Sequence, residues 1–318
     1  MNDFIPNFDA RAVFVSPWTD TFATYGWIML MGFLVTVACG LIGNYLILRR
    51  MALVGDAISH SVLPGIAIAF LVAQSRHSLV MFGGALAAGI VTTLLIETIH
   101  RRSRVKQDAA IGIVFSSLFA VGVILISLFA SQIDLDADCV LYGEISFVAL
   151  EPLVTIGGIG IAPESVFVMF LVAAVVATLV ILFYKELLVS SFDSGLAASL
   201  GINPTIMHYS LMCALSVVVV SAFRSVGAIL VIAMLILPGA TAFLITYRLP
   251  KMMVLSVVHS ALSSVLGVHL AIWLDCAVAS AIVVAGAGLF LLAWIFSPTQ
   301  GLIARFRPQL LPIEAART

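Results

Sequence analysis

Residues 49–65, Arg49-Arg-Met-Ala-Leu-Val-Gly-Asp56-Ala-Ile-Ser-His60-Ser-Val-Leu-Pro-Gly65, place two arginines, an acid and a histidine in a chain that is otherwise almost continuously apolar. Asp56 and His60 are four residues apart, so they share one face of a helix. An acid and an imidazole inside an apolar segment cost free energy unless they pair with each other or take part in the function of the protein. Their presence therefore predicts a functional site within the membrane. A carboxylate with an imidazole suits a divalent transition metal.

The composition places the chain in a membrane. Of its 318 residues, 62% are hydrophobic and only 10% are charged, whereas soluble domains carry about 25% charged residues. The mean hydropathy is +1.20. These values exclude an ordinary soluble enzyme and indicate a polytopic membrane protein surrounded by lipid, with no nucleic-acid partner. The four cysteines show no metal-binding spacing.

The apolar segments are long enough to span a bilayer, which takes about 20 helical residues. We predict an all-α, polytopic membrane helical bundle in a single domain, residues 1–318, with about nine transmembrane helices; counts of eight or ten stay open. The predicted spans are Tyr25–Leu48, Met51–Val72, Leu79–Ile99, Ala109–Ala130, Val166–Tyr184, Thr205–Ala222, Val226–Ile245, Met252–Trp273 and Ala277–Phe296. The sixth and seventh are short and nearly adjacent, so they could form one broken element. Residues 140–163 are interpreted as an outer loop or interfacial segment.

The basic residues predict the orientation of the bundle, because cytoplasmic loops of membrane proteins are enriched in Lys and Arg. With alternating spans, one side of the membrane receives most of them: Arg49, Arg50, Arg101, Arg102, Arg104, Lys106, Lys185, Arg248, Lys251, Arg305, Arg307 and Arg317. We therefore predict that the N-terminus lies outside the cell and the C-terminus in the cytoplasm. The outer side carries acidic residues, which either attract cations or are merely solvated.

Three polar side chains are predicted to reach a similar depth in the membrane. At a rise of about 1.5 Å per residue, Asp56, His60 and His259 lie about 7, 13 and 10 Å from the cytoplasmic ends of their spans. They are candidate ligands of one metal site. Alternatively, Asp56 only stabilises the first turn of its helix, and His60 only bonds a neighbouring helix. Because no thiolate lies at that depth, the donor set suits Mn²⁺, Fe²⁺ or Zn²⁺ rather than Cu⁺.

Two connections on the predicted cytoplasmic side have distinct features. In the first, Asp193 can cap a short helix that ends at Gly201, and Pro204 can begin the next span. Such a short amphipathic helix can serve as a docking surface. In the second, residues 246–251, Thr-Tyr-Arg-Leu-Pro-Lys, form a tight turn. Pro238 precedes this turn and predicts a kink or break in the seventh span.

Three stretches of the chain carry a resemblance to a known family. Residues 49–65 resemble the signature of the bacterial metal-ion ABC permeases, the membrane subunits of manganese, zinc and iron importers. Residues 192–201, Phe-Asp-Ser-Gly-Leu-Ala-Ala-Ser-Leu-Gly, resemble their cytoplasmic segment. Residues 226–242, Val-Gly-Ala-Ile-Leu-Val-Ile-Ala-Met-Leu-Ile-Leu-Pro-Gly-Ala-Thr-Ala, resemble their late transmembrane motif. The similarity runs over nearly the whole chain.

The resemblance implies a place in the bacterial inner membrane and several partners. A second permease, identical or a sister chain, would complete a dimer around a central pathway. Hydrolysis would occur on a separate cytoplasmic ATP-binding subunit, since this chain has no P-loop. An extracytoplasmic metal-binding protein would deliver the ion. The chain is thus expected to be a transport subunit rather than an enzyme, with no prosthetic group and with the metal as its cargo.

The resemblance also assigns residues. Asp56 and His60 correspond to the family's acid and histidine in the second helix, whereas His259 rests on its depth alone. By analogy with related importers, the main contact with the ATPase is expected at Thr246, Tyr247, Arg248, Leu249, Pro250 and Lys251. Residues 192–201 are expected to lie nearby.

The acidic stretch 134–144 resembles the manganese and iron branch of the family more than the zinc branch, and the chain has no long His-rich loop, which would favour zinc. The expected cargo is Mn²⁺ first, then Zn²⁺ or Fe²⁺. Two alternative functions stay open. One is a proton-coupled secondary metal carrier, in which Asp and His would titrate. The other is a membrane scaffold or sensor that transports nothing.

Overall fold

The computed structural model describes residues 9–73, 78–129, 145–156, 159–297 and 301–303. The elements in these ranges are α1 (Ala10–Phe14), α2 (Ser16–Thr19), α3 (Phe22–Leu48), α4 (Val54–Ala73), α5 (Ser78–Arg102), α6 (Gln107–Phe129), a 3-10 helix (Ile145–Leu150), β1 (Leu153–Ile156), β2 (Ile159–Pro163), α7 (Glu164–Leu182), α8 (Tyr184–Phe192), α9 (Ser194–Ser199), α10 (Pro204–Ile245), α11 (Leu249–Leu274) and α12 (Val278–Phe296). The acidic stretch 134–144 and the C-terminal arginines lie wholly outside the described residues.

Nine segments in the described ranges are long and apolar enough to cross a membrane. They are α3 to α7, the two halves of α10, α11 and α12, which confirms the predicted polytopic bundle of about nine spans. The sixth and seventh spans are one element, α10, interrupted at Gly227. That residue has a φ of 76°, a conformation that glycine adopts without the clash a β-carbon would cause. The two short spans are therefore halves of a broken helix.

Helix α10 connects two groups of helices. It packs against α3, α11 and α12 on one side and against α4 and α5 on the other. Helices α4, α5 and α6 also pack on one another, while α7 lies against α3. Helix α4, which carries Asp56 and His60, is thus held in place by α5, α6 and α10.

The short helices α8 and α9 lie where α3 and α5 end and α10 begins, at the end of the bundle that we call the basic end because it carries Arg49, Arg101 and Lys185. The side chain of Asp193 caps α9, accepting hydrogen bonds from the amides of Gly195 at 2.9 Å and Leu196 at 3.0 Å. This confirms the predicted cap. Such a cap satisfies amides that have no partner within the helix.

Residues 145–163 contain regular structure that the sequence did not predict. After the 3-10 helix, β1 and β2 pair as an antiparallel hairpin, with Leu153 opposite Pro163. The interpretation of residues 140–163 as an outer loop or interfacial segment did not include this hairpin. The carboxylate of Glu151 accepts hydrogen bonds from the amide and the hydroxyl of Ser165, at 2.8 and 2.6 Å. It thereby ties the hairpin to the first turn of α7.

Helices α4 and α5 approach closely through a pair of glycines. A β-carbon built on Gly84 would lie 2.5 Å from the carbonyl oxygen of Gly65 and 2.4 Å from the β-carbon of Ala69. Small residues at such a contact let two transmembrane helices pack backbone to backbone. This close packing of α5 against α4 helps to fix the helix that carries the candidate site.

Gly84→Ala is expected to destabilise the protein by about 1–3 kcal/mol, because α4 and α5 must separate to admit the methyl group. Gly83→Ala is the matched control, since a β-carbon there meets nothing within 4 Å and alanine favours a helix by up to about 1 kcal/mol. The measurement is the thermal unfolding midpoint of both variants in detergent. Equal midpoints would contradict the glycine contact.

Candidate metal centre

Helix α4 presents the two principal candidate ligands on one side. Asp56 lies in its first turn and His60 one turn later, and His60 Nε2 is 3.4 Å from Asp56 Oδ1. The intervening residues Ala57, Ile58 and Ser59 are buried within the bundle. The predicted shared helix face is therefore present, and it turns away from the core of this chain.

The surroundings of the pair are aromatic on one flank and open on the other. The ring of His60 lies 5.1 Å from that of Phe115 and 5.7 Å from that of Phe119, both on α6. The side chains of His60 and Asp56 are nonetheless 26% and 40% exposed. An ionisable pair exposed on a membrane-spanning helix is costly in lipid. Its open side therefore suits a water-filled path or a second protein chain.

The spacing of the two donors fits a single metal ion. Ligand atoms about 2.1 Å from one ion, at angles of about 90–110°, lie about 3.0–3.4 Å apart, close to the separation of His60 Nε2 and Asp56 Oδ1. Within the described ranges, no group of three or more His, Cys, Asp or Glu side chains is placed to hold a metal. One chain thus supplies two donors, which is fewer than a stable site needs.

His259 lies in a different environment. It is on α11, only 3% exposed, and neither ring nitrogen has a hydrogen-bond partner in the described structure. It faces α12 at Gly286, where an added β-carbon would lie 3.3 Å from Nε2. The structure does not bring His259 to Asp56 and His60 within one chain. A similar depth in the membrane does not bring two residues together, and α4 packs mainly against α5, α6 and α10, whereas His259 is on α11.

His269 has a structural role. Trp18 Nε1 donates a hydrogen bond to His269 Nε2 at 3.1 Å, and His269 Nδ1 lies 2.7 Å from the carbonyl oxygen of Val265. Because an indole can only donate, Nε2 accepts and Nδ1 carries the proton. Both nitrogens are therefore used, and the contact holds the N-terminal helices against α11.

A second polar cluster lies at the basic end and joins two helices. Glu97 of α5 is almost completely buried. Its Oε2 lies 2.9 Å from His208 Nε2 of α10, and its other oxygen accepts from Arg101. The four-residue spacing of Glu97 and Arg101 is enough to place the two side chains next to each other on one helix. The contact with His208 was missed, since no local pattern links residues so far apart in sequence.

Two surfaces at or next to the basic end expose apolar side chains. The predicted turn 246–251 is shorter in the structure, because α11 begins at Leu249 and only residues 246–248 connect it to α10. This connection exposes Tyr247, and Thr246 borders a groove of about 500 Å³ together with Pro250 and Lys251. The second surface, along α8 and α9, exposes Phe192 at the end of α8, Leu196 within α9 and Leu200 at the C-cap of α9. Exposed apolar patches of this kind are typical of protein interfaces.

The fold agrees with that of the relatives of the chain. Residues 22–297 match the ABC 3 transport family. The chain is 44% identical to the manganese transport system membrane protein MntD of Bacillus subtilis (strain 168), over 88% of its own length and 94% of that protein. It is 42% identical to the zinc transport system membrane protein TroD of Treponema pallidum (strain Nichols), over 87% and 75%.

Among solved structures, the chain resembles PsaBC from Streptococcus pneumoniae in complex with Fab. The TM-score is 0.71 at 36% identity, covering 86% of this chain and 92% of that one. The family match takes in most of the chain, from the first span to the end of the last. The chain belongs to the ABC 3 transport family and is a bacterial cell-membrane permease.

Proposed function

We propose that the chain is the permease subunit of an ATP-driven importer for a divalent transition metal, with Mn²⁺ favoured over Zn²⁺ and Fe²⁺. The observation that carries this proposal is the Asp56–His60 pair on the open side of a membrane-spanning helix. A carboxylate and an imidazole without a thiolate suit these ions. The manganese relative supports the order of preference.

A second permease, identical or a sister chain, would complete the site. Two copies related by a two-fold axis present the same face of α4 to each other. Four donors, two carboxylates and two imidazoles, would then surround one ion. Such a set lies between chains that can move apart, so it can release its ion more readily than a closed site within one rigid fold. His259 is not part of this arrangement; its buried, unpaired ring remains a separate and weaker candidate.

The basic end is proposed to face the cytoplasm, with the N-terminus outside, as its arginines and lysines favour. An extracytoplasmic metal-binding protein would deliver the ion at the opposite end. The ATP-binding subunit would dock at the basic end. We place its main contact at Thr246–Lys251 and a second one at Phe192–Gly201, because both expose apolar side chains there.

The purified permease dimer is expected to bind one Mn²⁺ ion per two chains, because each chain contributes only half of the ligands. Electron paramagnetic resonance counts the free and bound ion in detergent. Asp56→Ala is expected to lose the bound ion, whereas Asp108→Ala, an acid at the basic end outside the site, should keep it. One ion per chain, or binding that survives Asp56→Ala, would contradict the shared site.

A proton-coupled carrier remains the alternative function. It requires acidic or imidazole groups that cycle between protonation states during transport, and the Asp56–His60 pair supplies one group of each kind. It differs from the proposal in its energy source, since it would transport metal with a pH gradient and no ATPase.

A further inference from the structure

A cavity of about 350 Å³ opens at the basic end, where the ends of α3 and α5 meet α8 and the start of α10. The charged and hydroxyl side chains that line it are Arg49, Arg50, Arg101, Ser190, Ser191, Ser194 and His208. Among the described residues, no acidic side chain lines it. The cavity is thus a concentration of positive charge and hydrogen-bond donors between the ends of membrane-spanning helices.

The described structure leaves part of this positive charge without a counter-ion. Glu97, which lies behind the cavity, already pairs with Arg101 and His208. Arg49 donates hydrogen bonds of 3.0 Å to each of the hydroxyls of Ser190 and Ser191, and no carboxylate lies within ion-pair distance of it among the described residues. Burial lowers the pKa of the Arg49 guanidinium below its ordinary value, as expected of a cation without a neighbouring acid.

Arg50 is the available cation at the mouth of the cavity. Its backbone is left-handed, with a φ of 59°, and its side chain is exposed. Within the described ranges, its guanidinium makes no hydrogen bond or ion pair. An exposed arginine beside a half-buried one, with serine hydroxyls between helices, is a donor set that matches the oxygens of a phosphate group.

We propose that this cavity binds a phosphate group, supplied either by the headgroup of an anionic phospholipid or by free inorganic phosphate. The position at the ends of α3, α5 and α10 lies at the level of lipid headgroups, and basic pockets between transmembrane helices bind anionic headgroups. Guanidinium groups bind phosphate through paired hydrogen bonds. A bound phosphate would link α3, α5 and α8 beside the proposed ATPase-docking surface.

The test titrates the full-length chain in detergent with phosphatidylglycerol and, separately, with zwitterionic phosphatidylcholine, and counts bound lipid by native mass spectrometry. A second arm measures thermal stabilisation by inorganic phosphate. The variants are Arg50→Gln, Arg50→Lys and, as a matched control outside the cavity, Arg104→Gln. Unfolding midpoints in the absence of ligand identify any variant that fails to fold.

We expect one phosphatidylglycerol per chain, bound more tightly than phosphatidylcholine. Arg50→Gln should weaken it about fivefold, the change expected for one basic residue near an anionic surface. Arg50→Lys keeps the charge but not the paired hydrogen bonds, so it should lose less than Arg50→Gln, while Arg104→Gln should lose less than about twofold. Stabilisation by inorganic phosphate alone, lost in Arg50→Gln, supports the site and names free phosphate as its ligand. Binding of neither source, or equal losses in Arg50→Gln and Arg104→Gln, would overturn the proposal.

Discussion

Asp56→Ala and His60→Ala are each expected to reduce metal uptake by at least about 100-fold. In a dimer of identical chains, either change removes two of the four proposed donors at once. Losing even a supporting residue around a metal costs about 10–100-fold in affinity or activity, so losing direct ligands should cost more. The measurement is the initial rate of Mn²⁺ uptake by the assembled transporter, with the ATPase and the binding protein present.

His100→Ala and Asp108→Ala are the matched controls for this pair. Both residues carry the same chemical groups at the basic end but lie on α5 and α6, away from the open face of α4. They should keep most of the uptake rate. Normal uptake in Asp56→Ala and His60→Ala would keep the family assignment but would place the metal path elsewhere, with His259 as the next residue to change.

Tyr247→Asp is expected to weaken the binding of the ATP-binding subunit by about 10-fold or more. Tyr247 is exposed in the proposed docking turn, and interface tyrosines that become buried commonly contribute about 2 kcal/mol or more to binding. Placing a charge there would bury it without a partner. Leu196→Asp on the second surface should have a smaller effect of the same kind. Co-purification and the Kd of the two subunits measure both.

Leu150→Asp controls for the general effect of adding a charge to an exposed apolar position. Leu150 is exposed in the segment that precedes the hairpin, which the proposed orientation places outside the cell. It should leave ATPase binding unchanged. A larger loss for Leu196→Asp than for Tyr247→Asp would make α8 and α9 the main contact. No loss in either variant would remove both surfaces from the proposal.

The spans and the Asp56–His60 face were predictable because both signals are local. A run of about 20 apolar residues is enough to predict a transmembrane helix, and a spacing of four residues is enough to place two side chains on one face. The cap at Asp193 followed from equally local chemistry. Gly227 was harder, since the short sixth and seventh spans indicated a break without identifying its residue.

The contacts that the sequence could not supply depend on how helices rotate and pack. His259 and His60 have similar predicted depths, yet the structure surrounds them with different helices. His208 and Glu97 are far apart in sequence and meet only because α10 crosses α5. The approach of Gly65 to Gly84 likewise sets the rotation of α4. A periodicity identifies a helical face but not the neighbour it meets.

Metal uptake into proteoliposomes is the most direct test of the central claim. The vesicles contain this chain with its ATPase and binding protein, and ATP and a pH gradient are supplied separately while Mn²⁺, Zn²⁺ and Fe²⁺ are compared. The proposal predicts uptake that requires ATP on the side of the ATPase, favours Mn²⁺ and is lost in Asp56→Ala and His60→Ala. Uptake that ignores ATP and follows the pH gradient would contradict it and establish the proton-coupled carrier instead.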